Sequence, residues 1–393
     1  MPDVTTRPAR AAVGAVTTTV ASVMPVFLVG GLSVQIADDL RLTPATLGLA
    51  VAVYFAVTAV GSFPIGLLVE RYGAALTAQV GIILAADSML SIAVSARSLA
   101  GLLLMLAIAA TANSLGQLAS NASLSRSVPP RMHGVTLGAK QAGIPLATLL
   151  SAAAVPAVAL TIGWQWAFGA GAAFAFVALA VVPRDPPAPR ARRAWRRAPL
   201  DAGLLALAVA AALAAGSGTT LGTFLVASQV AQGQSESGAA LTQTLGGVLC
   251  VTCRVLVGVL ADRIRWGHLM LLTALLVVGA VGLILLGVGT LGAVVLGVLL
   301  GYGFGWSFPG LLNFSVVRLR PEAPAAATSI TQTGVYAGSG AVPLVFGWVA
   351  THRGYSSAWS VAACAMALAA CLVMVGAALT GRSARRRRAV LAN

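Results

Sequence analysis

Apolar residues in this chain run on for about 20 to 30 positions at a time, with neither a period of two nor a polar face. A helix rises 1.5 Å per residue and a bilayer's hydrocarbon core is about 30 Å thick, so about 20 such residues cross it. Twelve runs can be drawn, at about 11–36, 44–69, 74–95, 99–125, 134–160, 165–183, 202–230, 238–261, 267–288, 290–316, 325–350 and 356–380. They are numbered spans 1 to 12. The short alternating segments of a transmembrane barrel are absent. The expected fold class is an all-α membrane protein.

The polar breaks between runs carry the topology. Twenty arginines, from Arg7 through Arg385–Arg388, fall on one side of the drawn membrane. Only Arg41, Arg97 and Arg353 fall on the other. Basic loops stay in the cytoplasm, so both termini are expected there, in a multi-pass protein of the cytoplasmic (inner) membrane. One break is long. Pro183–Pro199 is rich in proline and arginine and is unfit for the bilayer interior. It divides the chain into an N-terminal six-helix bundle (1–183), a cytoplasmic linker (184–199) and a C-terminal six-helix bundle with an Arg-rich tail (200–393).

The two halves repeat. Pro130, Gln141, Gly143, Gly163 and Ala167 recur 191 residues later as Pro321, Gln332, Gly334, Gly354 and Ala358. Gly66, Glu70 and Arg71 recur 192 residues later as Gly258, Asp262 and Arg263. Agreement of two stretches on one offset indicates a duplicated six-helix unit, hence twelve transmembrane helices in two pseudo-symmetric bundles.

Gly66-Leu67-Leu68-Val69-Glu70-Arg71-Tyr72-Gly73, and its second copy Gly258 to Arg263, resemble the G-x-x-x-D-R-x-G signature of the major facilitator superfamily. With twelve spans and a central linker, the resemblance covers nearly the whole chain. It implies a transporter working by alternating access, with Gly66, Glu70, Arg71, Gly258, Asp262 and Arg263 as gating residues. It also implies a cavity lined by spans 1, 4, 7 and 10 and flanked by 2, 5, 8 and 11. The first copy departs from the signature in having Glu70 for the aspartate and Ala74-Ala75 where basic residues are usual.

Composition sharpens the choice of solute. The chain is 58% hydrophobic and 9% charged, against roughly 25% charged in soluble domains. Its net charge of +15 lies in loops and tail, which argues for topology and not for nucleic-acid binding. Two cations lie inside spans: Lys140, the only lysine, in span 5, and Arg254 in span 8. Both are about 10–12 Å from the cytoplasmic end. An ionisable group at that depth is costly unless it meets water, a counter-charge or a ligand. No acid is near in sequence, Asp87 in peripheral span 3 being the only deep one. An anion shared by Lys140 and Arg254 would relieve their repulsion.

The expected cavity residues are Lys140, Arg254, Gln141, Gln332, Asn113, Gln117, Tyr302, Trp306 and Asn313. The expected substrate is a small organic anion, preferentially a carboxylate. The competing expectation is a broad-specificity exporter of apolar or drug-like compounds. Lys140 snorkelling to the interface and Arg254 bonding to backbone carbonyls are the structural alternatives. Cys250-x-x-Cys253 has no second pair or histidine to complete a metal set, so no metal, cofactor or enzymatic activity is expected. The expected partners are the bilayer, the solute, and a coupling proton or counter-substrate.

Overall fold

A computed structural model describes residues 6–129, 132–182, 201–264, 267–320 and 324–391. The linker and residues Pro130, Pro321 and Arg131 lie outside them. The described residues form helices joined by short turns, with no strand among them. Eleven stretches are long and apolar enough to cross a membrane. The last of these, Ala327–Thr380, has 54 residues and is two spans. Gly354 breaks it with φ 79°, a conformation that suits a residue without Cβ. The fold is therefore that of twelve transmembrane helices in two pseudo-symmetric bundles. With an even number, both termini lie on one side, here called the terminal end; the other is the far end.

Span 1 is Thr6–Gly31, followed by a short helix, Ser33–Leu40. Spans 2, 3 and 4 are Pro44–Tyr72, Ala74–Ser95 and Leu99–Ser127. Span 5 begins as His133–Ala154 and continues through a π-turn, Val155–Ala159, to Ile162. Span 6 is Trp164–Val181, span 7 Ala202–Ala231, span 8 Glu236–Arg263 and span 9 His268–Leu286. Span 10 covers Leu291–Leu319 but is irregular at its centre, with a π-turn at Leu299–Phe304 and a 3-10 turn at Gly305–Ser307. Spans 11 and 12 fall on either side of Gly354.

Several starts are fixed locally. Thr43 and Thr46 form a reciprocal cap with Pro44 in the first turn of span 2. Ser98, Asp201 and Ser235 each accept a hydrogen bond from a backbone N–H three residues on, opening spans 4, 7 and 8. Asp201 also pairs with Arg320, which closes span 10, so one carboxylate ties the terminal ends of two spans.

The sequence repeat is also a repeat in space. Gly143 lies against Val16 and Thr19 of span 1, and Gly334 lies against the Ala208 carbonyl of span 7. Val16 and Ala208 are themselves 192 positions apart. Gly163 (φ 104°) and Gly354 (φ 79°) make the same turn between the last two spans of each half. With lipid outside, close helix packing rests on small residues rather than on hydrophobic burial.

The halves meet tightly at the far end. Gln35 donates to Glu236, and the Ala45 N–H donates to Thr351 Oγ1 at 3.0 Å. Spans 2 and 11 touch there. A Cβ on Gly347 would overlap the Pro44 carbonyl, and one on Gly48 would lie 2.5 Å from the Pro343 carbonyl. Gly66 is 18 residues, five helical turns, beyond Gly48 on the same face of span 2. A Cβ there would have no neighbour within 4 Å among the described residues. Spans 2 and 11 therefore diverge toward the terminal end. Spans 5, 8 and 10 remain in contact at that depth, with Gly138 against the Arg254 carbonyl, Gly258 and Gly310.

Candidate functional site

Where the halves part, a cavity opens. Its walls come from spans 1, 2, 4, 5, 7, 8, 10 and 11. Its volume is about 60 Å³, room for water. Five side-chain amides line it: Asn113, Gln117, Gln141, Asn313 and Gln332. Phe27, Phe55, Trp306, Phe308 and Tyr336 supply aromatic surface. Arg254 is the only charged residue among the described lining residues.

Backbone irregularity holds Arg254 in place. A carbonyl inside a helix is normally taken by the N–H four residues on. For Gln141 that residue is Pro145, which has none, so the Gln141 carbonyl is free and accepts from Arg254 Nη1. Arg254 Nε and Nη2 donate to the Trp306 carbonyl at 3.1 and 2.8 Å, where span 10 changes from π to 3-10 winding. The guanidinium also lies over the Trp306 ring, 5.4 Å from its centroid. One arginine thus joins span 8 to span 5 of the other half and to the irregular centre of span 10. Three of its five N–H groups are used in these bonds, and the guanidinium is also hydrogen-bonded to the Cys250 thiol.

Lys140 does not join it. It is 1% exposed and absent from the cavity wall. Its Nζ donates to Gln117 Oε1 and Asn121 Oδ1, each at 2.7 Å, and approaches the Gln117 carbonyl at 3.5 Å. The expectation that both cations face the cavity is corrected. Successive helical residues point about 100° apart, so with Gln141 and Ile144 turned inward, Lys140 faces span 4. The ammonium is met by amide oxygens, not by a second cation or an anion.

Tyr302 is also displaced from the expected wall. It is fully buried behind Trp306, edge-on at 5.5 Å, with its ring against Gly246. The π-turn at Leu299–Phe304 shifts the helical phase between Tyr302 and Trp306, which a regular helix would place on one face. Asn113, Gln117, Gln141, Gln332, Trp306 and Asn313 do line the cavity. Residues missed from the sequence include Phe27, Phe55 and Tyr336, and Asn121 beside Lys140. Tyr336 is four residues after Gln332, and Asn121 four after Gln117, so helical spacing could have found both. Asp87 is exposed on the outer surface of span 3, away from the cavity. Cys250 is buried, Cys253 half-buried, and Cys364 and Cys371 are exposed; all are free thiols.

A family model described as Major Facilitator Superfamily matches residues 12–343. The chain belongs to the major facilitator superfamily. It is accordingly a multi-pass membrane transporter of the secondary type. Its fold is similar to that of a bacterial homolog of the human lysosomal transporter Spinster, solved in an inward-facing and occupied conformation (TM-score 0.69, 16% identity, 96% of this chain and 97% of that one). It is also similar to a D-xylose-proton symporter (TM-score 0.73, 18% identity, 93% and 96%). No curated protein matches the sequence.

The superfamily signature residues sit at the terminal end. Glu70, Arg71, Asp262 and Arg263 are exposed, and none is in an ion pair among the described residues. Arg71 lies over the ring of its neighbour Tyr72, at 5.3 Å.

Proposed function

We propose that this superfamily member carries a small organic anion, a monocarboxylate with an apolar body, across the cytoplasmic membrane by alternating access. The observation that supports the reading is Arg254, the single charged group on a wall that otherwise offers amides and aromatic rings. A guanidinium suits a carboxylate, and the rings suit an apolar body. No carboxylate is among the described lining residues to favour a cation. With the arginine-rich terminal end as the cytoplasmic one, the present form is inward-facing. Coupling is then to a proton or to an exchanged counter-substrate, and Gly66, Glu70, Arg71, Gly258, Asp262 and Arg263 govern the terminal gate.

A broad exporter of apolar compounds is the second reading. Its support is the apolar share of the wall, including Val23, Ile144, Ala215, Leu312 and Val335.

The two readings separate in a thermal-stability screen of purified protein against benzoate and its neutral isostere benzamide. A ligand at 100 times its Kd stabilises by about 2.7 kcal/mol. Benzoate should raise Tm and benzamide should not, and Arg254→Ala should abolish the benzoate effect. Stabilisation by benzamide and neutral aromatics alone would favour the exporter.

A further inference from the structure

We propose that Lys140 is a positioning residue for solute recognition: by holding the Gln117 oxygen, it turns the Gln117 amide N–H groups into the cavity as donors. The proposal rests on the reading that this cavity binds the solute. An ammonium has three donors and no acceptor. Here it meets three oxygens: Gln117 Oε1, Asn121 Oδ1 and the Gln117 carbonyl. It is buried, so water does not compete.

Gln117 serves both sides. Its side chain lines the cavity while its oxygen is committed to Lys140. A glutamine amide free to flip could offer a solute either an oxygen or an NH2 group. Against an ammonium, only the flip with oxygen toward Lys140 is favourable, which leaves Nε2 for the cavity. The ammonium also polarises that amide, strengthening its N–H groups as donors.

Four residues earlier, about 6 Å along span 4, Asn113 behaves differently. Its Nδ2 donates to Thr58 Oγ1 at 3.4 Å, and its buried Oδ1 has no partner among the described residues. Span 4 therefore shows the solute an acceptor at Asn113 and a donor at Gln117. Lys140 imposes the second without touching the solute, and so favours solutes that present acceptor oxygens near Arg254.

Full-length protein in detergent tests this with benzoate and benzamide as probes. Lys140→Met keeps the length and removes the charge. It should weaken benzoate about tenfold, the order expected for losing one hydrogen bond to a charged group, and weaken benzamide less, because its carbonyl is a neutral acceptor. In a Gln117→Ala background the same substitution should have no further effect, because the influence runs through Gln117. An equal loss in both backgrounds overturns the proposal, as does an unchanged benzoate-to-benzamide preference in Lys140→Met. Lys140 is the only lysine, so isotope-labelled lysine gives a single side-chain NMR signal. Gln117→Ala should shift it. Should the unmodified protein bind neither probe, the anion reading falls and the signal alone decides: a shift supports the orientation, and an unchanged signal overturns it.

Discussion

At the scale of single residues, the cavity distinguishes two cations by what each already holds. Lys140 spends its donors on span 4, whereas Arg254 bridges Gln141 and Trp306 on the cavity wall itself. Arg254→Lys should therefore fail to rescue Arg254→Ala. A lysine keeps the charge but lacks the fork that reaches two carbonyls on different spans and a solute together. We expect a loss in carboxylate affinity of about ten- to a hundredfold for both variants, corresponding to 1.5–3 kcal/mol. Titration calorimetry with benzoate checks it, and near-normal affinity in Arg254→Lys would show that only charge matters. The sequence disclosed the shared depth of these cations, because depth follows from counting residues along a helix. It did not disclose their directions. A shift of one position turns a side chain by about 100°, and nothing near Lys140 in sequence names Gln117 and Asn121, which lie on another span.

At the scale of elements, span number and order were legible because each span must satisfy its backbone within itself. The half-repeat was legible too, and it reappears in the paired contacts of Gly143 and Gly334. The π-turns in spans 5 and 10 were not, since no residue pattern marks an i to i+5 winding. That is why Tyr302 was expected on the wall and stands behind it. Pro145 is the reverse case, a visible residue whose consequence needs the structure. It frees the Gln141 carbonyl for Arg254 across the junction of the halves. In Pro145→Ala, residue 145 regains an N–H that takes this carbonyl back. Hydrogen exchange across residues 142–149 should slow, because an interior proline costs a helix about 3 kcal/mol. Carboxylate affinity should fall severalfold as Arg254 loses one anchor. Slower exchange with unaltered affinity would mean that the Trp306 carbonyl alone positions the guanidinium.

At the scale of the whole molecule, one face of span 2 records which end is closed. Gly48 has no room for a Cβ beside Pro343, whereas Gly66, five turns away, meets none of the described residues. An alternating-access cycle must exchange these conditions, so substitutions at the two ends should have opposite effects. Gly347→Ala puts a Cβ into the Pro44 carbonyl and is tolerated only if spans 2 and 11 separate at the far end. Overpacking of this kind costs typically 1–3 kcal/mol, enough to shift the balance about five- to a hundredfold toward a form open at the far end. Gly66→Leu should leave the present form and its Tm unchanged, yet obstruct closure of the terminal end and slow transport more than it weakens binding. Spin labels report both ends once the four native cysteines are replaced. A pair at the exposed positions Asp38 and Ala231 reports the far end, and a pair at Tyr72 and Arg318 the terminal end. Gly347→Ala should lengthen the first distance and shorten the second. Gly66→Leu should hold both at their present values even with solute bound. If Gly347→Ala lost stability with neither distance changed, the far-end contact would be packing within a rigid bundle rather than a gate. If Gly66→Leu transported normally, closure of the terminal end would not bring this face of span 2 against span 11.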